Sequence, residues 1–154
     1  MSHIDEASRF IAVGQARIFA ALMDGEALEH WLPPSGMSGV MERFEPVLGG
    51  EYRMVLRYLD PSGAPGKATA DSDIVQGRIS RIIPDREVAH EIRFVSDDPA
   101  YAGLMTMRWI LEEQAGGTLV RIRAEGVPDG ISPTDHADGM DASLTNLARY
   151  LGTG

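Results

Sequence analysis

The sequence predicts an α+β fold in which a curved antiparallel sheet of seven strands wraps a long C-terminal helix, with two short helices after the first strand. Three observations carry this. The middle of the chain is a series of short alternating segments separated by Gly- and Pro-containing turns. Two short stretches of helical spacing precede it. One long amphipathic stretch with marked ends closes the chain.

Residues 7–14 read as the first strand. In 15–23, Ile18, Phe19 and Leu22 fall on one side of a helix. Asp24 can cap a second short helix, 25–32. It must stop there, because Pro33 and Pro34 disfavour helical geometry before them and remove backbone donors.

The meander begins with 40–45 and the turn signal Gly49-Gly50. Residues 51–59 alternate Tyr52, Met54, Leu56 and Tyr58 against Glu51, Arg53 and Arg57. A Pro/Gly loop covers 61–72. Residues 73–83 form a strand whose mixed pattern around Gly77 suggests a bulge or bend. After the turn 84–86, Val88, His90, Ile92 and Phe94 alternate with Ala89, Glu91 and Arg93. A loop at 96–103 leads to a strand with Met105, Met107, Trp109 and Leu111 on one face. Ala115-Gly116-Gly117 turns the chain into 118–125, with Val120, Ile122 and Ala124 inward.

The last helix has an N-cap in Ser132, Pro133 at its first position and Asp135 in its first turn, where negative charge is favoured. Met140, Leu144, Leu147 and Leu151 form one apolar stripe, with His136 a turn earlier on the same side. Gly152 ends it. The stripe must face the concave side of the sheet, the one apolar surface of matching size.

In an up-and-down meander, alternate connections share an end. Loops 60–72 and 96–103 and the link 126–133 therefore lie together, opposite the shorter turns at 46–50, 84–86 and 114–117. Long loops collect at functional ends, so this end is expected to be the mouth of a pocket.

At 154 residues the chain suits one domain, 1–154. It is 44% hydrophobic and 24% charged, ordinary globular values. Fourteen Lys and Arg against 23 Asp and Glu give −9, which repels phosphate backbones and anionic lipid; nucleic-acid and membrane partners are not expected. The absence of cysteine excludes disulfides, thiolate catalysis and Cys-based metal sites, and suits a cytoplasmic location. Neither a signal peptide nor a spanning apolar run is legible.

Several segments resemble a known family. These are the helix pair from Arg17 to Trp31, Gly49-Gly50-Glu51-Tyr52-Arg53, the strand from Gly77 to Pro84, Gly116-Gly117-Thr118, and the ending from His136 to Leu147. Their order and spacing over about residues 7–151 resemble the START-like helix-grip fold of the SRPBCC superfamily, in the AHSA-type branch named after an activator of a heat-shock chaperone ATPase. The resemblance implies binding of apolar molecules between the long helix and the sheet. It also brings cyclase or aromatase chemistry, and a chaperone partner with a stress-response role, as alternatives. Where that branch often has a Trp in the last helix, this chain has Met140.

The inward-facing set is Tyr52, Met54, Leu56, Tyr58, His90, Ile92, Phe94, Met105, Met107, Trp109, Met140, Leu144 and Leu147. It is an apolar surface with a few polar anchors, the usual build of a small-molecule site. Its methionines suit an adaptable one. Each residue, taken singly, also fits plain core packing. His90 could anchor a ligand, act with Tyr52 or Tyr58 as an acid–base pair, or be a satisfied core histidine. His136 follows Asp135, which invites a dyad reading, but neighbours on a helix point about 100° apart, so Asp135 reads first as a helix-start residue. No nucleophile elbow, phosphate loop or metal-ligand spacing occurs, so neither catalytic residues nor a metal or cofactor are assigned. An exposed edge strand or patch would support a homodimer. The outward Arg53, Arg57, Arg93, Arg108, Arg121 and Arg123 read as a solvated face with acidic cross-strand partners.

Overall fold

A computed structural model describes residues 3–33, 36–59 and 72–152. Its elements are β1 (His3–Ile11), α1 (Gln15–Leu22), α2 (Gly25–Trp31), β2 (Met37–Phe44), β3 (Glu51–Tyr58), β4 (Ser72–Ile83), β5 (Glu87–Phe94), β6 (Met105–Gln114), β7 (Gly117–Val127) and α3 (Pro133–Tyr150). A single 3₁₀ turn, Pro99–Tyr101, lies between β5 and β6. The expected loop at 61–72 falls outside the described residues, apart from the first residue of β4.

The seven strands form one open antiparallel sheet in the order β1-β7-β6-β5-β4-β3-β2. From β2 to β7 the chain is a plain meander; β1 joins the far edge by pairing with β7. The two short helices carry the chain from one edge of the sheet to the other. Asp24 caps α2 by accepting from the backbone N–H of Glu26 and Ala27. Ser132 caps α3 by accepting from the N–H of Asp135.

Apolar residues at helical spacing face the sheet. Ile18 and Leu22 of α1, Trp31 of α2 and Leu144 and Leu147 of α3 are each at most 1% exposed. Burying one such side chain contributes about 2 kcal/mol before entropy is charged against it. Polar bonds then fix the angles between elements. Ser143 Oγ donates to the Leu32 carbonyl at 2.7 Å, satisfying a group that the end of α2 leaves without a helical partner. Asn146 donates to the Pro33 carbonyl at 3.0 Å. Trp31 Nε1 donates to the Ala21 carbonyl at 3.2 Å.

Four of the six outer-face arginines, Arg53, Arg108, Arg121 and Arg123, have acidic partners. Arg53 meets Glu42 at 2.9 Å and Arg121 meets Glu112 at 3.0 Å; Arg123 pairs with Glu6. Arg108 grips the buried Glu87 with two bonds of 3.1 and 3.2 Å. The exposed pairs contribute at most about 1 kcal/mol each.

Two strand starts and one irregularity differ from the expectation. β1 starts at His3 rather than Ala7, because its first residues invert the usual pattern: Ile4 is 53% exposed while Asp5 is buried. β2 starts at Met37 rather than Val40, and Val40 itself faces out. The irregularity in β4 lies between Ile79 and Arg81, not at Gly77, which pairs in register with Tyr52.

Candidate functional site

α3 does not touch the sheet evenly. Its C-terminal half packs down through Leu144, Leu147 and Leu151. Before Leu144 the helix presents the small residues Gly139, Ala142 and Ser143 to the space beside the sheet. A Cβ on Gly139 would meet nothing within 4 Å. The space left is a cavity of about 640 Å³, within the range of small-molecule sites.

The strand alternation decides what lines it. β3 contributes Tyr52, Met54, Leu56 and Tyr58, β5 Ile92 and Phe94, β6 Met105, Met107 and Trp109, and α3 Met140. Trp109 is backed by Trp31, edge-on with ring centroids 5.2 Å apart. Tyr101, Gly130, Ile131 and Ser132 also line the space, from the connections expected to share one end. A hydrogen bond of 2.7 Å from the Gly130 N–H to the Ala100 carbonyl ties those two connections together.

Three expected residues are not in the lining. Leu144 and Leu147 are a turn or more beyond the gap, where α3 lies against the core. His90 shares the inward face of β5, but Tyr52 covers it; the rings meet edge-on, centroids 5.4 Å apart. His90 Nδ1 is buried and has no hydrogen-bond partner among the described residues. Burial lowers its pKa to about 4, so the ring is neutral near pH 7. Burial also pushes the Tyr52 hydroxyl upward. His90 therefore lies behind the Tyr52 ring and does not line the cavity.

The polar side of the cavity was not legible beforehand. His136 lines it, and its partner is Asp5 of β1, not its neighbour Asp135. His136 Nδ1 stands 2.7 Å from Asp5 Oδ2, and His3 Nε2 stands 3.0 Å from the same oxygen. Asp5 is 7% exposed. This contact joins residues 131 apart in sequence, and no local pattern signals it. Asp73, Asp135 and Asp138 also line the cavity, which has no Lys or Arg in its described lining. Among the described residues no cluster of three His, Asp or Glu side chains is arranged to hold a metal ion, and no helix is long and apolar enough to cross a membrane.

Comparison with known proteins places the chain. The family model of the activator of Hsp90 ATPase homolog 1-like proteins matches residues 12–152, and the chain belongs to that family. Protein CV1439 from Chromobacterium violaceum is similar over 98% of both chains, at 26% identity and a TM-score of 0.84. The AHSA1 protein SPO3351 from Silicibacter pomeroyi is 21% identical over 97% of this chain and 98% of its own, with a TM-score of 0.78. DynU16, from the dynemicin biosynthetic locus, shares the fold at 16% identity and a TM-score of 0.68, over 98% of this chain and 48% of its own. No curated protein matches the chain.

Proposed function

We propose that this member of the activator of Hsp90 ATPase homolog 1-like family is a binding module for an apolar or aromatic small molecule, held between α3 and the sheet. Domains of this type are typically ligand-binding or activator domains. The observation that carries the reading is the cavity of about 640 Å³ walled by methionines, aromatics and aliphatic side chains. Apolar burial there would supply most of the affinity, at about 25 cal/mol per Å² removed from water. The adaptable thioethers of Met54, Met105, Met107 and Met140 would let the wall fit ligands of different outline.

The test is titration with the neutral fluorophore N-phenyl-1-naphthylamine. Saturable one-to-one binding is expected, and Met107→Trp should abolish it by filling the space while the thermal unfolding transition stays cooperative. Absence of saturable binding, or binding undisturbed by Met107→Trp, would remove the reading. In that case the outer surface and a protein partner become the place to look.

A further inference from the structure

The polar side of the cavity carries information about the ligand. This step rests on the binding reading above and narrows it to a chemical class. Asp5 is buried, and its Oδ2 stands 2.7 Å from His136 Nδ1. An ionised carboxylate only accepts, so Nδ1 must carry the hydrogen. In a neutral imidazole that leaves Nε2 as an acceptor with its lone pair free. Nε2 has no protein partner among the described residues, and the imidazole forms part of the cavity wall. Asp5, on β1, is thus a positioning residue that fixes both the tautomer and the angle of a ring on α3, as carboxylates behind ligand-binding histidines do.

The charges around the cavity point the same way. Its described lining includes Asp135 and Asp138, and no Lys or Arg. A ligand with a carboxylate or phosphate would enter against like charge, with no Lys or Arg among the described lining residues to meet it. A ligand with a hydrogen-bond donor would find acceptors instead.

We infer that the cavity takes a neutral aromatic or polycyclic molecule bearing a hydroxyl group, and that this hydroxyl donates to His136 Nε2 while the ring system lies among the methionines and Trp109.

Three probes of one shape test this: 2-naphthol, 2-methoxynaphthalene and 2-naphthoate, each titrated by quenching of tryptophan fluorescence. 2-Naphthol should bind about five- to tenfold tighter than 2-methoxynaphthalene, the ordinary size of one hydrogen bond, with 2-naphthoate the weakest. His136→Phe should bring 2-naphthol down to the level of the ether and leave the ether unchanged, which also reports that the cavity is intact. A reading on the unaltered protein guards against a variant that fails to fold. With ¹⁵N-labelled histidine, the His136 Nε2 resonance should mark a bare nitrogen and move when 2-naphthol is added, but not with the ether. Asp5→Asn should weaken the preference for the alcohol and mix the two tautomers in the same spectrum. Equal binding of alcohol and ether, or a preference that survives His136→Phe, or an Nε2 resonance indifferent to 2-naphthol, overturns the inference and leaves apolar binding standing. If none of the three probes binds, the binding reading falls and the inference falls with it.

Discussion

The Tyr52 ring fills the space where Gly77 would carry a side chain: a Cβ there would stand 2.1 Å from Tyr52 Cζ. The two residues face each other across β3 and β4. The glycine is therefore required by the ring and not by a bend in its own strand. This ring also covers His90 and walls the cavity. Gly77→Ala must push it aside, and overpacking of this severity is expected to cost about 3 kcal/mol in chemical denaturation. In a Tyr52→Ala background the same substitution should cost at least about 1 kcal/mol less, because its clash has gone. Equal costs in both backgrounds would show that Gly77 is needed for another reason.

His90 should make the protein sensitive to mild acid. Its pKa is lowered from 6.5 to about 4 by burial. The unfolded chain thus takes up the proton first, so this group lowers stability as pH falls through 6.5, and the loss levels off only below about 4. The full loss is about 3 kcal/mol, since one pKa unit corresponds to about 1.4 kcal/mol. His90→Leu removes that titration and the unpartnered Nδ1 together. Stability of the variant relative to wild type should rise between pH 7 and pH 4, measured by urea denaturation at each pH. A constant difference across that range would mean that His90 protonates without cost in the folded state.

Ser143 tests how far the cavity depends on the polar joint beside it. Its hydroxyl donates to the Leu32 carbonyl at 2.7 Å, and both residues line the space. Ser143→Ala leaves that carbonyl without its partner and should cost about 1–2 kcal/mol. The α2–β2 connection should loosen with it, giving faster amide exchange at Leu32 than in the wild type. A stability change under about 0.5 kcal/mol would indicate that water replaces the hydroxyl at no cost.

Much of the fold was legible because the chain states it locally. Tyr52 to Tyr58 and Val88 to Phe94 alternate, Asp24 and Ser132 cap their helices, and the stripe from Met140 to Leu151 admits one partner surface. The apolar wall of the cavity followed from the same period of two. The polar wall did not, because it depends on contacts between distant segments. Asp5 sits in a polar N-terminal stretch that looks like a tail, and only the pairing of β1 with β7 brings it under His136. His90 shows the opposite limit. Alternation puts it on the concave face, but only the position of a neighbouring ring decides whether that face is wall or interior.

Gly139 is where stability and binding should part company. A glycine inside a helix costs about 0.5–1 kcal/mol relative to alanine, because more backbone freedom is lost on folding. At Gly139 no steric reason for that cost is present, since a Cβ would have nothing within 4 Å. Gly139→Ala should therefore stabilise the protein by about 0.5–1 kcal/mol and leave probe affinity nearly unchanged. Gly139→Leu retains the gain in helix propensity but sends four carbons into the cavity beside Met140. It should unfold no more easily than wild type, yet bind N-phenyl-1-naphthylamine at least about tenfold more weakly, a difference of about 1.4 kcal/mol. Thermal melts and fluorescence titrations on the two variants separate the effects. If Gly139→Leu binds as tightly as wild type, the glycine does not open the site; if Gly139→Ala destabilises, α3 needs the glycine for its backbone and not for the room it leaves.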